Sequence, residues 1–190
     1  MAKLTQLPTQ LADVIFLETT VFGDHRGFFT ESYSEQDFKE VGITTHFVQD
    51  NHSLSVEAGV LRGLHFQKGA YAQSKLIRVV TGAVWDVIVD LRKGSPTYGQ
   101  WEGFILSEHN HRQLFVPKGF AHGFVTLTPN VNFLYKCDAY YHAPADAGIA
   151  YNDPDLKIAW PVDLNRAILS EKDQHHPTLR EFEAENTFVY

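Results

Sequence analysis

Two histidines stand where a plain core strand would carry valine. His65 lies in GVLRGLHFQ (Gly59–Gln67) among Leu61, Leu64 and Phe66, and His122 lies in PKGFAHGF (Pro117–Phe124). An imidazole is the side chain best suited to take up and return a proton near neutral pH. As a base it needs a partner that fixes its tautomer, commonly a carboxylate. LSEKDQHHP offers Asp173, with Glu171 as second choice. Taken alone, Asp173 reads as a solvated carboxylate or a helix cap, and a strand histidine as a hydrogen-bonded core residue. NFLYKCDAYY adds Tyr135, Tyr140 and Tyr141. Strand tyrosines usually pack, but one facing a histidine across a pocket can serve as a general acid.

Arg62 adds a cation to the same strand as His65. On a flat strand, residues three apart face opposite sides. Gly63 between them permits a bulge that re-aims one of the two. Arg26 in DHRGFFTE, Lys75 in AQSKLIR and His122 are further cations; gathered on one lining they suit a phosphorylated ligand. The Pro-x-Gly-x-x-His turn of PKGFAHGF is similar to the second motif of cupins. Metal-binding cupins also want His-x-His and a following Glu. Here Gln67 stands in place of the second histidine, and KGAYAQSK (Lys68–Lys75) contains no acid. His65 and His122 alone make a poor N/O metal set. The expectation is a metal-free barrel whose histidine is free to move protons.

These residues need a scaffold. At 190 residues, one domain over 1–190 with a sizeable core is expected. Aromatic residues reach 13%, with fourteen Phe, which points to an aromatic core or pocket. Short strands are expected over Asp13–Phe22, Gly27–Tyr33, Thr45–Ser53, Val60–Gln67, Lys75–Val80, Ala83–Leu91, Trp101–Ser107, Gln113–Val116, Gly123–Thr128 and Asn132–Asp138. One helix begins at Ser34 as N-cap and stops at Gly42; HPTLREFEAEN holds a second, short one. Many short strands separated by Gly, Pro and Asn give an all-β sandwich or barrel. The net charge of −7, with no basic run longer than two, argues against a nucleic-acid partner. The lone Cys137 excludes an internal disulfide and fits a reducing compartment. MAKLTQLPTQLADVIF lacks an apolar signal core, and no apolar run approaches spanning length. A cytoplasmic protein without a membrane partner is expected.

Taken in order from about Phe22 to Pro177, DHRGFFTESY, FVQDNHSLS, GVLRGLHFQ, AQSKLIRVVTGAVWDVIVDLRKGSPTYGQW, PKGFAHGF, FLYKCDAYY, YNDPDLKIAWP and ILSEKDQ strongly resemble the dTDP-4-dehydrorhamnose 3,5-epimerase family. The resemblance implies an antiparallel double-stranded β-helix, cupin-like, with a few short peripheral helices. It implies a homodimer that needs no cofactor or metal. The implied reaction converts dTDP-4-dehydro-6-deoxy-D-glucose to dTDP-4-dehydro-L-rhamnose. Carried over by position, His65 matches the base, Asp173 its carboxylate and Tyr135 the acid. Arg26, Glu31, Gln49, Asn51, Arg62, Lys75 and His122 match positions that bind nucleotide, diphosphate or sugar. Tyr141 and Trp160 match aromatics near base and sugar, and Phe29, Asp50, Asp146 and Lys172 join the implied substrate contacts. Family members often carry Glu where this chain has Asp146 in YHAPADAGI, with the proline displaced by one.

Three rival readings remain at this point. A sibling enzyme of deoxysugar biosynthesis would epimerise one carbon or act as a ketoisomerase. A metal-dependent cupin would need the missing His and Glu. A binding module would keep the cations without needing an aligned His, Asp and Tyr.

Overall fold

The computed structural model describes residues 3–190. Its first pair of strands, β1 (Leu4–Leu7) and β2 (Ile15–Thr19), lies at one edge of a six-stranded sheet. A hairpin of β3 (Phe22–Asp24) and β4 (Gly27–Phe29) follows and forms a two-stranded sheet by itself. The expected strands over 13–22 and 27–33 are therefore broken, because residues 20–21 lead out of the sheet into this hairpin. Helix α1 (Glu35–Glu40) is capped by the Ser34 side chain, which accepts from the Asp37 N–H.

The remaining strands are divided between two sheets, alternating except for the β8–β9 pair. β5 (Gln49–Ser55), β7 (Lys75–Thr81), β10 (Arg112–Val116) and β12 (Val131–Cys137) join the first sheet, in the order β1-β2-β10-β7-β12-β5. β6 (Leu61–Gln67), β8 (Ala83–Asp90), β9 (Trp101–Ser107), β11 (Phe120–Thr126) and β13 (Asp146–Gly148) form the second, in the order β13-β6-β11-β8-β9. Every strand pairing is antiparallel. Two facing antiparallel sheets with strands crossing between them are the expected jelly roll. β1 and β13 lie outside the strands expected from sequence. Helix α2 (Leu179–Phe182) falls within the expected tail and starts with a Thr178/Glu181 capping box. No helix among the described residues is long and apolar enough to cross a membrane.

Strand alternation sorts the apolar residues into three clusters. Between the sheets, Phe16, Ile77, Leu114 and Phe133 of one meet Ile88, Phe104, Phe120 and Phe124 of the other. Phe124 and Phe133 stack across the gap at 4.1 Å. Behind the second sheet, Leu64, Phe66, Val87 and Val89 are covered by Ile149, Leu156, Phe182 and Phe188 from the C-terminal segment. β8 is thus buried on both faces, which is why AVWDVIVD reads as a nearly continuous apolar run. Behind the first sheet, Leu17, Leu76 and Phe115 pack on Phe38 and Ile43 around α1.

The strand that carries His65 is irregular. In the β6–β11 ladder His122 faces His65 but Phe124 faces Arg62, so β6 spends one residue more than its partner. Gly63 has φ +132°, and the Gly63–Leu64 peptide is cis. A Cβ on Gly63 would stand 2.5 Å from Gly123 Cα, so two glycines let these backbones touch.

Gly63→Ala should therefore destabilise the protein more than Gly59→Ala. Gly59 also has positive φ (+82°), but open space surrounds it. For Gly59 a cost of about 1 kcal/mol is expected from the backbone alone; Gly63 must add a displaced strand. Urea unfolding of both variants checks the order, and equal midpoints would refute the close-approach account.

Candidate active site

His65, on the inner side of β6, opens onto a cavity of about 750 Å³ between the sheets. Its Nε2 lies 2.5 Å from Asp173 Oδ1, across 108 residues of chain. Asp173 begins a 3₁₀ turn (Asp173–His175), is 3% exposed, and donates its backbone N–H to the Ser170 hydroxyl oxygen. Burial works to raise its pKa. The imidazoles of His176 and His65 and the Ser170 hydroxyl outweigh burial and hold the carboxyl well below the usual range. An ionised Asp173 can only accept, so His65 Nε2 carries the proton and Nδ1 keeps the lone pair. Nδ1 is then the basic atom.

The first sheet supplies the opposite wall. Tyr135 on β12 and Lys75 at the start of β7 line the same cavity, with the ammonium 5.8 Å from the tyrosine ring centre. Burial, reinforced by nearby Cys137 and Asp146, pushes the Tyr135 phenol up to about 12. It holds its proton throughout the physiological range. Desolvation pushes the Lys75 pKa down, against the pull of Cys137, Asp86 and Asp146.

His122, beside His65 in the ladder, is buried, and its Nε2 contacts Asp86 Oδ2 at 2.9 Å. Burial lowers the His122 pKa and raises that of Asp86, and the contact between them opposes both shifts. His65 and His122 thus each spend Nε2 on a carboxylate. Gln67, at the position where a metal cupin would place a histidine, donates to Tyr71 and Tyr140 carbonyls and accepts from His142 N–H. It ties two rim loops together instead of offering a ligand.

Asn51, Arg62, Tyr141, Asp146 and Lys172 complete the expected lining. Arg62 and His65 share the cavity because the extra β6 residue interrupts alternation between them. Arg62 reaches the Ser55 hydroxyl at 3.3 Å and remains exposed at the mouth. Asp146 receives the Tyr141 hydroxyl at 3.2 Å and the Lys172 ammonium.

Six expected site residues stand elsewhere. Arg26 is exposed on the β3–β4 hairpin and paired with Asp24 at 2.6 Å. Phe29 is 63% exposed on the same hairpin, and Glu31 pairs with Lys3 at 2.7 Å. The hairpin belongs to neither main sheet, and none of these three lines the cavity. Gln49 bonds Asn51 and the Tyr141 N–H behind the lining. Asp50 is engaged by Lys136 at 2.9 Å. Trp160 donates its indole N–H to the Tyr151 carbonyl and packs in the cluster behind the second sheet.

Two residues at the site escaped sequence reasoning. Asp86 was visible as an acid inside the apolar β8, a position that demands a buried partner. His176, three residues after Asp173, packs its ring against His65 with centres 5.4 Å apart. The i,i+3 spacing was its only signal.

Sequence comparison brings in known proteins. A profile of the family described as dTDP-4-dehydrorhamnose 3,5-epimerase matches residues 8–181. The chain is 51% identical over 174 residues to the enzyme of that name from Escherichia coli K12, covering 91% of this chain and 93% of the relative. Its fold is similar to the Bacillus anthracis dTDP-4-dehydrorhamnose 3,5-epimerase with TDP and PPi bound: TM-score 0.89, 55% identity, 92% and 99% of the two chains. It is also similar to the Legionella pneumophila dTDP-6-deoxy-D-glucose-3,5-epimerase in complex with dTDP-4-keto-L-rhamnose: TM-score 0.93, 46% identity, 98% of each chain.

The raised pKa of Tyr135 has a spectroscopic consequence. A phenol held near 12 stays neutral where ordinary tyrosines, near 10, ionise. Tyr135→Phe should therefore leave the tyrosinate difference absorbance unchanged up to about pH 10.5. Loss of one tyrosine's worth of signal below that pH would show an ordinary phenol.

Proposed function

The chain belongs to the dTDP-4-dehydrorhamnose 3,5-epimerase family, and from that premise we propose how its side chains perform the reaction. The enzyme is an isomerase that inverts carbons 3 and 5 of dTDP-4-dehydro-6-deoxy-D-glucose. The ketone at carbon 4 acidifies the hydrogens on both neighbours. His65 Nδ1 takes one of them. The C–H electron pair becomes the enolate double bond, and charge moves onto the carbonyl oxygen. Lys75 stabilises that oxygen; one preorganised donor of this kind contributes about 3 kcal/mol. Tyr135, on the opposite wall, gives its proton to the other face of the carbon and inverts it. Solvent then takes the proton from His65 and returns one to Tyr135, and the cycle repeats at the second carbon. Proton transfer alone balances each step, so the chemistry needs no redox cofactor.

One observation carries this reading: a histidine bonded through Nε2 to an ionised carboxylate faces a neutral phenol across one cavity. Arg62 and Asn51 at the mouth suit the nucleotide diphosphate, with Tyr141, Asp146 and Lys172 forming the rim. The two proton-transfer variants should fail differently. His65→Ala should lose both deuterium exchange and inversion. Tyr135→Phe keeps the base, so a deuteron returns from the same face, and NMR in deuterated water should show exchange with little inversion at one carbon at least. Inversion of both carbons at the unaltered rate would remove Tyr135 from the mechanism.

Arg26, Phe29 and Glu31 enter the reading through a homodimer. The hairpin exposes Phe22, Phe28 and Phe29, each more than half exposed, a costly apolar display for an isolated chain. We assign it to the partner's cavity, where Arg26 meets the diphosphate. Complementation tests this arrangement. Arg26→Ala and His65→Ala proteins, each impaired, should regain activity when dissociated and re-formed together, because a hybrid pair holds one intact cavity. Statistical mixing gives about a quarter of the normal rate. No recovery from confirmed hybrids would place Arg26 in its own chain's site or in none. The compartment completing this reading is the cytoplasm, supported by a lone buried thiol that suits reducing conditions.

A further inference from the structure

His176 has no part in the proton transfers above, yet it is built into the dyad. Its side chain is 8% exposed, and its Nε2 has no hydrogen-bond partner. That nitrogen lies 3.5 Å from Asp173 Oδ1, the oxygen that also receives His65 Nε2. Gly148 makes the room: a Cβ there would stand 2.6 Å from His176 Nε2 and Cε1. One donor atom from each of His65, Asp173 and His176 lies within 4.8 Å of the other two. A buried imidazole nitrogen whose one polar neighbour is a shared carboxylate oxygen at 3.5 Å is an incomplete shell.

We propose that His65, Asp173 and His176 form an inhibitory site for a divalent transition-metal ion of the zinc type. Two imidazoles and a carboxylate are donors suited to Zn²⁺ and Co²⁺; Mg²⁺ and Ca²⁺ prefer oxygen alone. Ligands about 2 Å from a tetrahedral ion sit about 3.3 Å apart. The His176–Asp173 separation already has this size. The His65–Asp173 separation of 2.5 Å must open by less than about 1 Å once the metal replaces the proton between them. The cluster lies between two openings. His65 and Asp173 line the substrate cavity, and His176 lines a neighbouring groove of about 730 Å³, so water can complete the shell.

The consequence rests on His65 being the base. Zn²⁺ on Nε2 displaces that proton, and the neutral ring then carries its hydrogen on Nδ1. No bond to carbon forms and no electron is transferred; one ring proton changes place. Nδ1 loses the lone pair that takes the sugar hydrogen, and Asp173 is bound to metal. The same ion that serves many enzymes as a Lewis acid silences this one.

The test uses full-length protein stripped with EDTA. Zn²⁺ alone is titrated by calorimetry, Co²⁺ is followed by visible absorption, and deuterium exchange into the sugar is measured alongside. One Zn²⁺ per chain should bind, Co²⁺ should give the intense bands of a four-coordinate site, and exchange should fall as the site fills. Mg²⁺ should do nothing. His176→Ala should weaken Zn²⁺ binding by at least about tenfold and relieve inhibition relative to its own metal-free rate. His176→Gln, which preserves more bulk, serves if the alanine variant does not fold. Absence of Zn²⁺ binding, or equal inhibition with and without His176, overturns the site. Binding through His176 with exchange intact overturns the inhibitory consequence and takes the base role away from His65.

Discussion

A hydrogen bond between His65 and Asp173 governs what this cavity can do. It joins the middle of a strand to a turn 108 residues later, so it exists only after the C-terminal segment has docked behind the second sheet. The docking is apolar: Leu156, Phe182 and Phe188 cover Leu64, Phe66 and Val89. Hydrophobic burial thereby supplies the free energy that brings a carboxylate to a histidine. Once there, Asp173 is nearly inaccessible to water and still ionised, because two imidazoles and a hydroxyl face it. That charge selects the tautomer of His65, and the tautomer decides which nitrogen is basic.

The jelly roll makes such a site possible by giving each strand two environments. Inner positions of β11 and β12 mix large aromatics with polar groups, and those of β8 mix aliphatics with Asp86. Phe16, Phe104 and Phe120 fill part of the gap; Lys75, His122 and Tyr135 line open space beside Phe124 and Phe133. Low dielectric then acts on each polar group according to its charge. It raises the Tyr135 phenol and the Asp86 carboxyl and lowers Lys75 and His122. Burial thus holds a neutral phenol on one wall of the cavity, facing the His65–Asp173 pair on the other.

The irregular piece of β6 shapes the cavity lining. A regular strand would send Arg62 and His65 to opposite faces. One extra residue, with Gly63 against Gly123, brings a cation to the mouth and an imidazole to the interior of one cavity. Gln67 at the end of the same strand holds the rim loops that carry Tyr141, which in turn reaches Asp146. One strand thus aligns Arg62, His65 and the rim loops.

Much of this was legible in the chain alone. Strand composition and turn residues carried the all-β class, and ordered motifs carried the family. Ser34 announced its helix, because a cap acts over three residues. The conflict between Arg62 and His65 was visible as a period violation with a glycine in its midst. Local chemistry and period are written in adjacent residues, and these features needed no more. Tertiary structure decided the rest. It joined Asp173 to His65, seated His176 beside them, gave Asp86 to His122, and left the hairpin of Arg26 and Phe29 outside the cavity. Each of those outcomes depends on which distant surfaces bury one another. Apolar contacts are non-directional, so a linear sequence records that they will form without recording where each polar passenger comes to rest.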